Sequence, residues 1–216
     1  MIIFAKRLLE IYRLAAKHDP RKALTAIHII ARGKYVRLEA TDGKVACVVK
    51  AEAENGDNET IDCLISRKMA RRVLSVCNNL LSAIGIAVDG DVIRAYALTG
   101  ESAHWEVTAQ FEEAPIRGWS CDFDGKIIEW DAKPGADPAH YAPRLLRKLA
   151  RTAVKMGFGE RGYQPDGLTL YASAVNPNLF NAVRPENNVR ALFLIMPMKA
   201  RDESLLALPT REEMSV

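Results

Sequence analysis

Apolar residues Phe4, Leu8, Ile11, Tyr12 and Ala15 recur three to four positions apart, with polar residues between them and Pro20 just beyond. This spacing predicts an amphipathic helix over residues 4–18 that ends before the proline. The period then changes. LTAIHIIAR (24–32), YVRLEAT (35–41) and VACVVKAEA (45–53) are short runs rich in β-branched residues, parted by Gly33-Lys34 and Asp42-Gly43. They predict three antiparallel strands joined by tight turns.

The same order of elements returns twice. Residues 60–65 read as a strand, Ser66 is placed to N-cap a helix through RKMARRVLSVCNNLL, and AIGIAVDG, DVIRAYALTG and HWEVTAQFEEA predict three further strands. Near the end, Pro143 suits the first turn of a helix running to about Phe158, and GLTLYASAV, NLFNAVR and VRALFLIMPMK complete a third set. The repeat, read from pattern rather than identity, has a period near 56 residues. The expected organisation is a first domain, 1–117, of two units (1–55 and 59–114). A reduced second domain, 118–199, joins a connection (118–138, with the strand-like KIIEW) to one unit (139–199). Residues 200–216 form a tail without periodicity. The fold class is α+β, with repeated strand-helix-three-strand units and helices on one face of antiparallel sheets.

Composition narrows the class without naming an activity. At 216 residues, 49% hydrophobic and 26% charged, the chain can bury a core and is unlike a disordered sequence. No apolar run reaches membrane-spanning length and the N-terminus lacks signal-peptide grammar, so a cytoplasmic location is expected. Cys47, Cys63, Cys77 and Cys121 show neither a CxxC pair nor nearby histidine ligands, and read as buried thiols.

The net charge of +3 conceals a segregation. Residues 4–22, 66–81 and 141–158 hold Lys6, Arg7, Arg13, Lys17, Arg21, Lys22, Arg67, Lys68, Arg71, Arg72, Arg144, Arg147, Lys148, Arg151 and Lys155, half of the 30 basic residues, and only two of the 27 acids. These segments carry +13 and the remainder −10. Helices that merely keep solvated charge usually interleave glutamate at i,i+4, and the last two segments contain no acid. In the third helix, positions 144, 147, 148, 151 and 155 form one stripe, and Leu145, Leu146, Leu149, Ala153 and Met156 an apolar one expected to pack on a sheet. Cations on helix faces with an acidic remainder describe a surface for the phosphate backbone of duplex DNA, without choice of sequence.

The turn DPRKALTAIHI, the strand ending LEATDGKVA, the segment CLISRKMARRVLSV, the closing FEEAPIRGW and the terminal FLIMPMK resemble the DNA sliding clamps, in particular the bacterial DNA polymerase III β subunit. The resemblance covers about residues 1–119 and 139–199, and the Met-Pro-Met-basic ending is its most specific part. It implies a DNA-clamp fold whose helices line a channel, with all fifteen basic residues above facing DNA and Arg21 and Lys22 on a projecting turn. It also implies a partner-peptide groove that includes Val175, Met196, Pro197, Met198 and Lys199. The partners implied are duplex DNA, a DNA polymerase or other clamp-binding protein and a clamp loader, with assembly into a homo-oligomeric ring. The bacterial β clamp has three full domains, whereas this chain has three units. A subunit of this size suits closure as a trimer or dimer, and the alternative is a clamp-fold interaction protein that does not encircle DNA.

No catalytic residue, cofactor or metal is expected. Gly157-Phe-Gly159-Glu-Arg-Gly162 matches GxGxxG but follows a helix, the reverse of the dinucleotide-binding order, and reads as a helix stop. Asp122, Asp124, Glu129 and Asp131 lie in a Gly-rich connection and read as a solvated acidic loop. His18, His28, His104 and His140 are isolated in sequence from any nucleophile or metal-ligand spacing.

Overall fold

The computed structural model describes residues 1–56, 59–77, 82–102, 104–119, 141–158, 169–171, 178–184 and 189–195. Two antiparallel sheets carry the molecule. The first has five strands: β1 (Ile2–Ala5), β5 (Glu54–Asn55), β7 (Ser82–Asp89), β8 (Val92–Glu101) and β9 (His104–Glu113), in the order β5-β1-β7-β8-β9. The second has seven: β2 (Ala26–Arg32), β3 (Tyr35–Thr41), β4 (Val45–Glu52), β6 (Ile61–Ser66), β10 (Thr169–Tyr171), β11 (Asn178–Arg184) and β12 (Val189–Ile195). Their order is β10-β11-β12-β4-β3-β2-β6.

Strand alternation explains the seven-stranded sheet. Ile27, Ile29 and Ala31 of β2, Val36, Leu38 and Ala40 of β3, Val45, Cys47, Val49 and Ala51 of β4, and Ala191, Phe193 and Ile195 of β12 are all essentially inaccessible. Every second residue therefore faces one core. The third unit joins that sheet directly: β12 runs antiparallel to β4 from Arg190 opposite Lys50 to Ile195 opposite Val45. Ile2, Phe4, Ile84, Ile86, Ile93 and Ala95 of the five-stranded sheet close the same core from the other side.

The first helical segment differs from its expectation. The chain forms β1 and then a 3-10 helix over Lys6–Arg13, where an α-helix over 4–18 was predicted. Leu8, Leu9, Ile11, Tyr12, Leu14 and Ala15 are all buried. These pairs repeat every three residues, which matches the three-residue turn of a 3-10 helix.

Helix α1 (Arg67–Val76) begins where the sequence predicted. The Ser66 hydroxyl accepts the Met69 N–H at 2.9 Å, and Glu113 from the end of β9 accepts both the Ser66 N–H (2.6 Å) and its hydroxyl (2.7 Å). Helix α2 (Pro143–Lys155) has Pro143 in its first turn and ends at Gly157, whose φ is +92°, as expected of a helix stop. Its core side is Leu145, Leu149, Thr152, Ala153 and Met156, whereas Leu146, expected there, is exposed. Beyond the helix, Phe158 meets Phe193 of β12 edge to face at 6.2 Å.

Cys47, Cys63 and Cys77 are free and buried. Burial pushes all three thiols up, Cys63 to about 12. No helix among the described residues is long and apolar enough to cross a membrane.

Candidate nucleic-acid interface

The 3-10 helix sits between α1 and α2, and both reach the same short stretch of it. Arg67 of α1 donates to the carbonyl oxygens of Tyr12 (2.8 Å), Arg13 (3.4 Å) and Ala15 (2.6 Å), with its guanidinium 5.3 Å from the centre of the Tyr12 ring. Lys148 of α2 donates to the Leu14 carbonyl (3.0 Å) and to Asp42 Oδ2 (2.6 Å) in the β3–β4 turn. The three basic segments are thereby drawn together, and the chain end of the 3-10 helix has its orphaned carbonyls satisfied by cations.

This arrangement sorts the fifteen basic residues by what they touch. Arg67 and Lys148 are turned inward, and burial pushes the Arg67 guanidinium down. Half-buried Lys6 donates to the Cys77 carbonyl at 3.3 Å, and Arg7 is half-buried. Arg13 pairs with Glu10 and lies 5.2 Å from the Tyr12 ring centre. Arg72 projects over Phe111 at 4.8 Å. Arg21 is well exposed but forms two bonds to Asp19, at 3.0 and 3.2 Å, which hold that carboxyl below its usual range. Lys17, Lys22, Lys68, Arg71, Arg144, Arg147, Arg151 and Lys155 are exposed.

Lys17, Lys68 and Arg71 line an open cleft of about 700 Å³ with His18, Asp19, Pro20, Thr25, Ser66 and Arg67, between the 17–25 turn and the start of α1. Arg144, Arg147, Arg151 and Lys155 are exposed along one side of α2.

Other expected positions fall elsewhere. Val175, Met196, Pro197, Met198 and Lys199, Cys121, His140, the acidic positions of 122–131, KIIEW and residues 200–216 lie outside the described residues. Among the described residues no group of three His, Cys, Asp or Glu side chains could hold a metal ion.

Two features escaped the sequence reading. In the sequence Asp42 is marked only as a turn residue; its Oδ1 accepts the N–H of Lys44 (2.9 Å) and Val45 (3.0 Å), and its Oδ2 holds Lys148. The Asx turn was legible in Asp-Gly, but the cation 106 positions away was not. His28, isolated in sequence, lies between Glu39 and Asp62. Its strand position beside a hairpin register was the one available signal.

No protein-family model matches the sequence, and no curated protein matches it. Solved structures do. The chain is similar to the sliding clamp DnaN (DNA polymerase III subunit beta) of Pseudomonas aeruginosa bound to griselimycin, at 16% identity and a TM-score of 0.56 over 93% of this chain and 66% of that one. The DNA polymerase III beta chain of Streptococcus pneumoniae aligns at 15% identity and 0.60, covering 92% and 64%. The Thermotoga maritima beta subunit aligns at 17% and 0.55, covering 93% and 66%. The chain thus spans about two thirds of the length of these clamps. Two antiparallel sheets over a shared core, with basic helices gathered at the 3-10 helix, make this chain a protein with the fold of the bacterial DNA polymerase III β sliding clamps.

Proposed function

We propose that this chain is a sliding-clamp-like processivity factor, without enzymatic activity, that holds duplex DNA non-specifically against its basic helices and tethers a replication or repair polymerase. The observation that carries the reading is the exposed cation array on α1, α2 and the 17–22 turn, in a chain whose fold is that of the β clamps. Its mechanism is topological retention with screened electrostatics, which raises the local concentration of a bound partner without reading bases. Two or three copies of the two-domain chain (1–117 and 118–199) close the ring, a loader opens it, and the Met196–Lys199 segment with Val175 receives the partner's peptide.

The test compares circular with linearised duplex DNA. Retention on the circle at about 0.3 M salt, lost on linearisation, is the expected result; equal loss from both forms would refute encirclement. The second reading is a clamp-fold modulator that binds other clamp components without encircling DNA; the chain spans about two thirds of the length of the solved clamps. A monomer at micromolar concentration with no retention on circular DNA selects it.

A further inference from the structure

The outer face of the seven-stranded sheet carries a polar cluster that the DNA surface does not use. His28 on β2 is 8% exposed, and both of its ring nitrogens meet carboxylates: Nδ1 lies 3.1 Å from Glu39 Oε2 on β3, and Nε2 lies 2.7 Å from Asp62 Oδ1 on β6. Glu39 is 3% exposed and also receives Arg37 on Oε1 and the Trp119 indole N–H on Oε2 at 3.1 Å. The Trp119 ring stands 5.0 Å from the imidazole, tilted by 47°. Trp119 also packs with Leu192 against Ala46, Val48 and Leu194, across the seam where β12 joins β4.

Hydrogen-bond chemistry fixes the protonation state. Ionised carboxylates only accept, so an imidazole that bridges two of them must carry a proton on each nitrogen. Glu39 receives the Arg37 guanidinium and the Trp119 indole N–H, two groups that can only donate. We infer that His28, Glu39, Asp62 and Trp119 form a proton-dependent clasp, in which the His28 imidazolium, lying against the Trp119 ring and bonded to the Glu39 carboxylate that holds its indole N–H, fastens residues 114–119 over the β4–β12 seam and loss of its proton to solvent loosens them.

Every element packed on His28 contributes to the balance. β3 supplies Glu39 and Arg37, β6 supplies Asp62, and the segment after β9 supplies the neutral indole, while Lys50 of β4, one strand further, lies over the Tyr35 ring at 4.6 Å. Burial opposes the imidazolium, but hydrogen bonds and charge from Glu39 and Asp62 outweigh it and raise the His28 titration above its ordinary 6.5. A raised value gives stabilisation that is complete below pH 6.5 and lost as pH climbs through the folded-state value.

The experiment follows two nuclei in the intact protein from about pH 5.5 to 9.5: the His28 ring by ¹³C-detected titration and the Trp119 indole N–H by ¹⁵N correlation, with Trp105 as internal reference. The expected result is a Trp119 shift with the same midpoint as His28 and no shift at Trp105. Asp62 is largely exposed, so Asp62→Asn keeps the fold and moves both midpoints to lower pH. His28→Gln abolishes the Trp119 transition. A Trp119 signal that stays fixed while His28 titrates, that still moves in His28→Gln, or whose midpoint is unchanged in Asp62→Asn overturns the clasp.

Discussion

Lys148 separates a DNA contact from a structural tether. It sits in the basic stripe of α2, yet its ammonium lies 2.6 Å from Asp42 and 3.0 Å from the Leu14 carbonyl, with side-chain exposures of 28% for Lys148 and 19% for Asp42. Lys148→Met keeps the aliphatic stem and deletes the charge. A charge-assisted hydrogen bond is worth about 1.5–3 kcal/mol, and Asp42 retains two backbone donors, which places the loss near the middle of that range, about 2 kcal/mol. For a chain of this size that is a fall in Tm of about 4–8 °C. The pH dependence has a defined sign. Burial favours the neutral acid at Asp42, but Lys148 and the N–H groups of Val45 and Lys44 outweigh it and hold the carboxyl below the usual range. The tether therefore stabilises above the unfolded-state pKa of about 3.9 and fades as pH falls through the depressed folded value. Calorimetry at pH 7 and pH 3, with duplex binding by fluorescence anisotropy, reads both effects. Arg147→Met, one residue away and exposed, serves as the surface control, expected within about 0.5 kcal/mol of wild type in stability. If Lys148→Met melts with wild type and loses as much duplex affinity as Arg147→Met, the assignment of Lys148 to the tether is refuted.

Arg67→Ala strips three carbonyls of their donor and should cost about 2–3 kcal/mol by urea denaturation, while Arg71→Ala, exposed on the same helix, should leave the midpoint unchanged. Arg147→Glu with Arg151→Glu should weaken duplex binding and lower the log–log salt slope by about 2, as two phosphate contacts are lost; an unchanged slope removes α2 from the interface. Gly100, at φ +130°, has no room for a side chain because a Cβ would fall on the His104 carbonyl, so Gly100→Ala should destabilise by more than about 1 kcal/mol in thermal melts.

The alternation of Ile27, Ile29 and Ala31, and of Val36, Leu38 and Ala40, determined both the strands and the face they bury, because a period of two is a local property of the pleat. Ser66 and Pro143 marked helix starts for an equally local reason, the capping of the first turn. The charge segregation was likewise plain in composition. Whether each cation serves the surface or the interior was not, since that depends on which carbonyls and carboxylates the fold brings within reach. Arg67 found Tyr12 to Ala15, and Lys148 found Asp42. The 3-10 helix lay between the two cases: its three-residue period was written in Leu8, Leu9, Ile11, Tyr12, Leu14 and Ala15, but a helical spacing of three to four positions fits α just as well until α1 and α2 pack on both sides.

The sequence by itself determined the repeated order of strands and helices and the concentration of positive charge on the helices, because both are set by neighbours a few residues apart. Only the tertiary structure decided that β12 extends the sheet at β4, that Arg67 and Lys148 are tethers, and that His28 lies between two carboxylates. Each of these joins residues distant along the chain, and contacts of that range are chosen by edge availability, burial and charge neutralisation in the folded state.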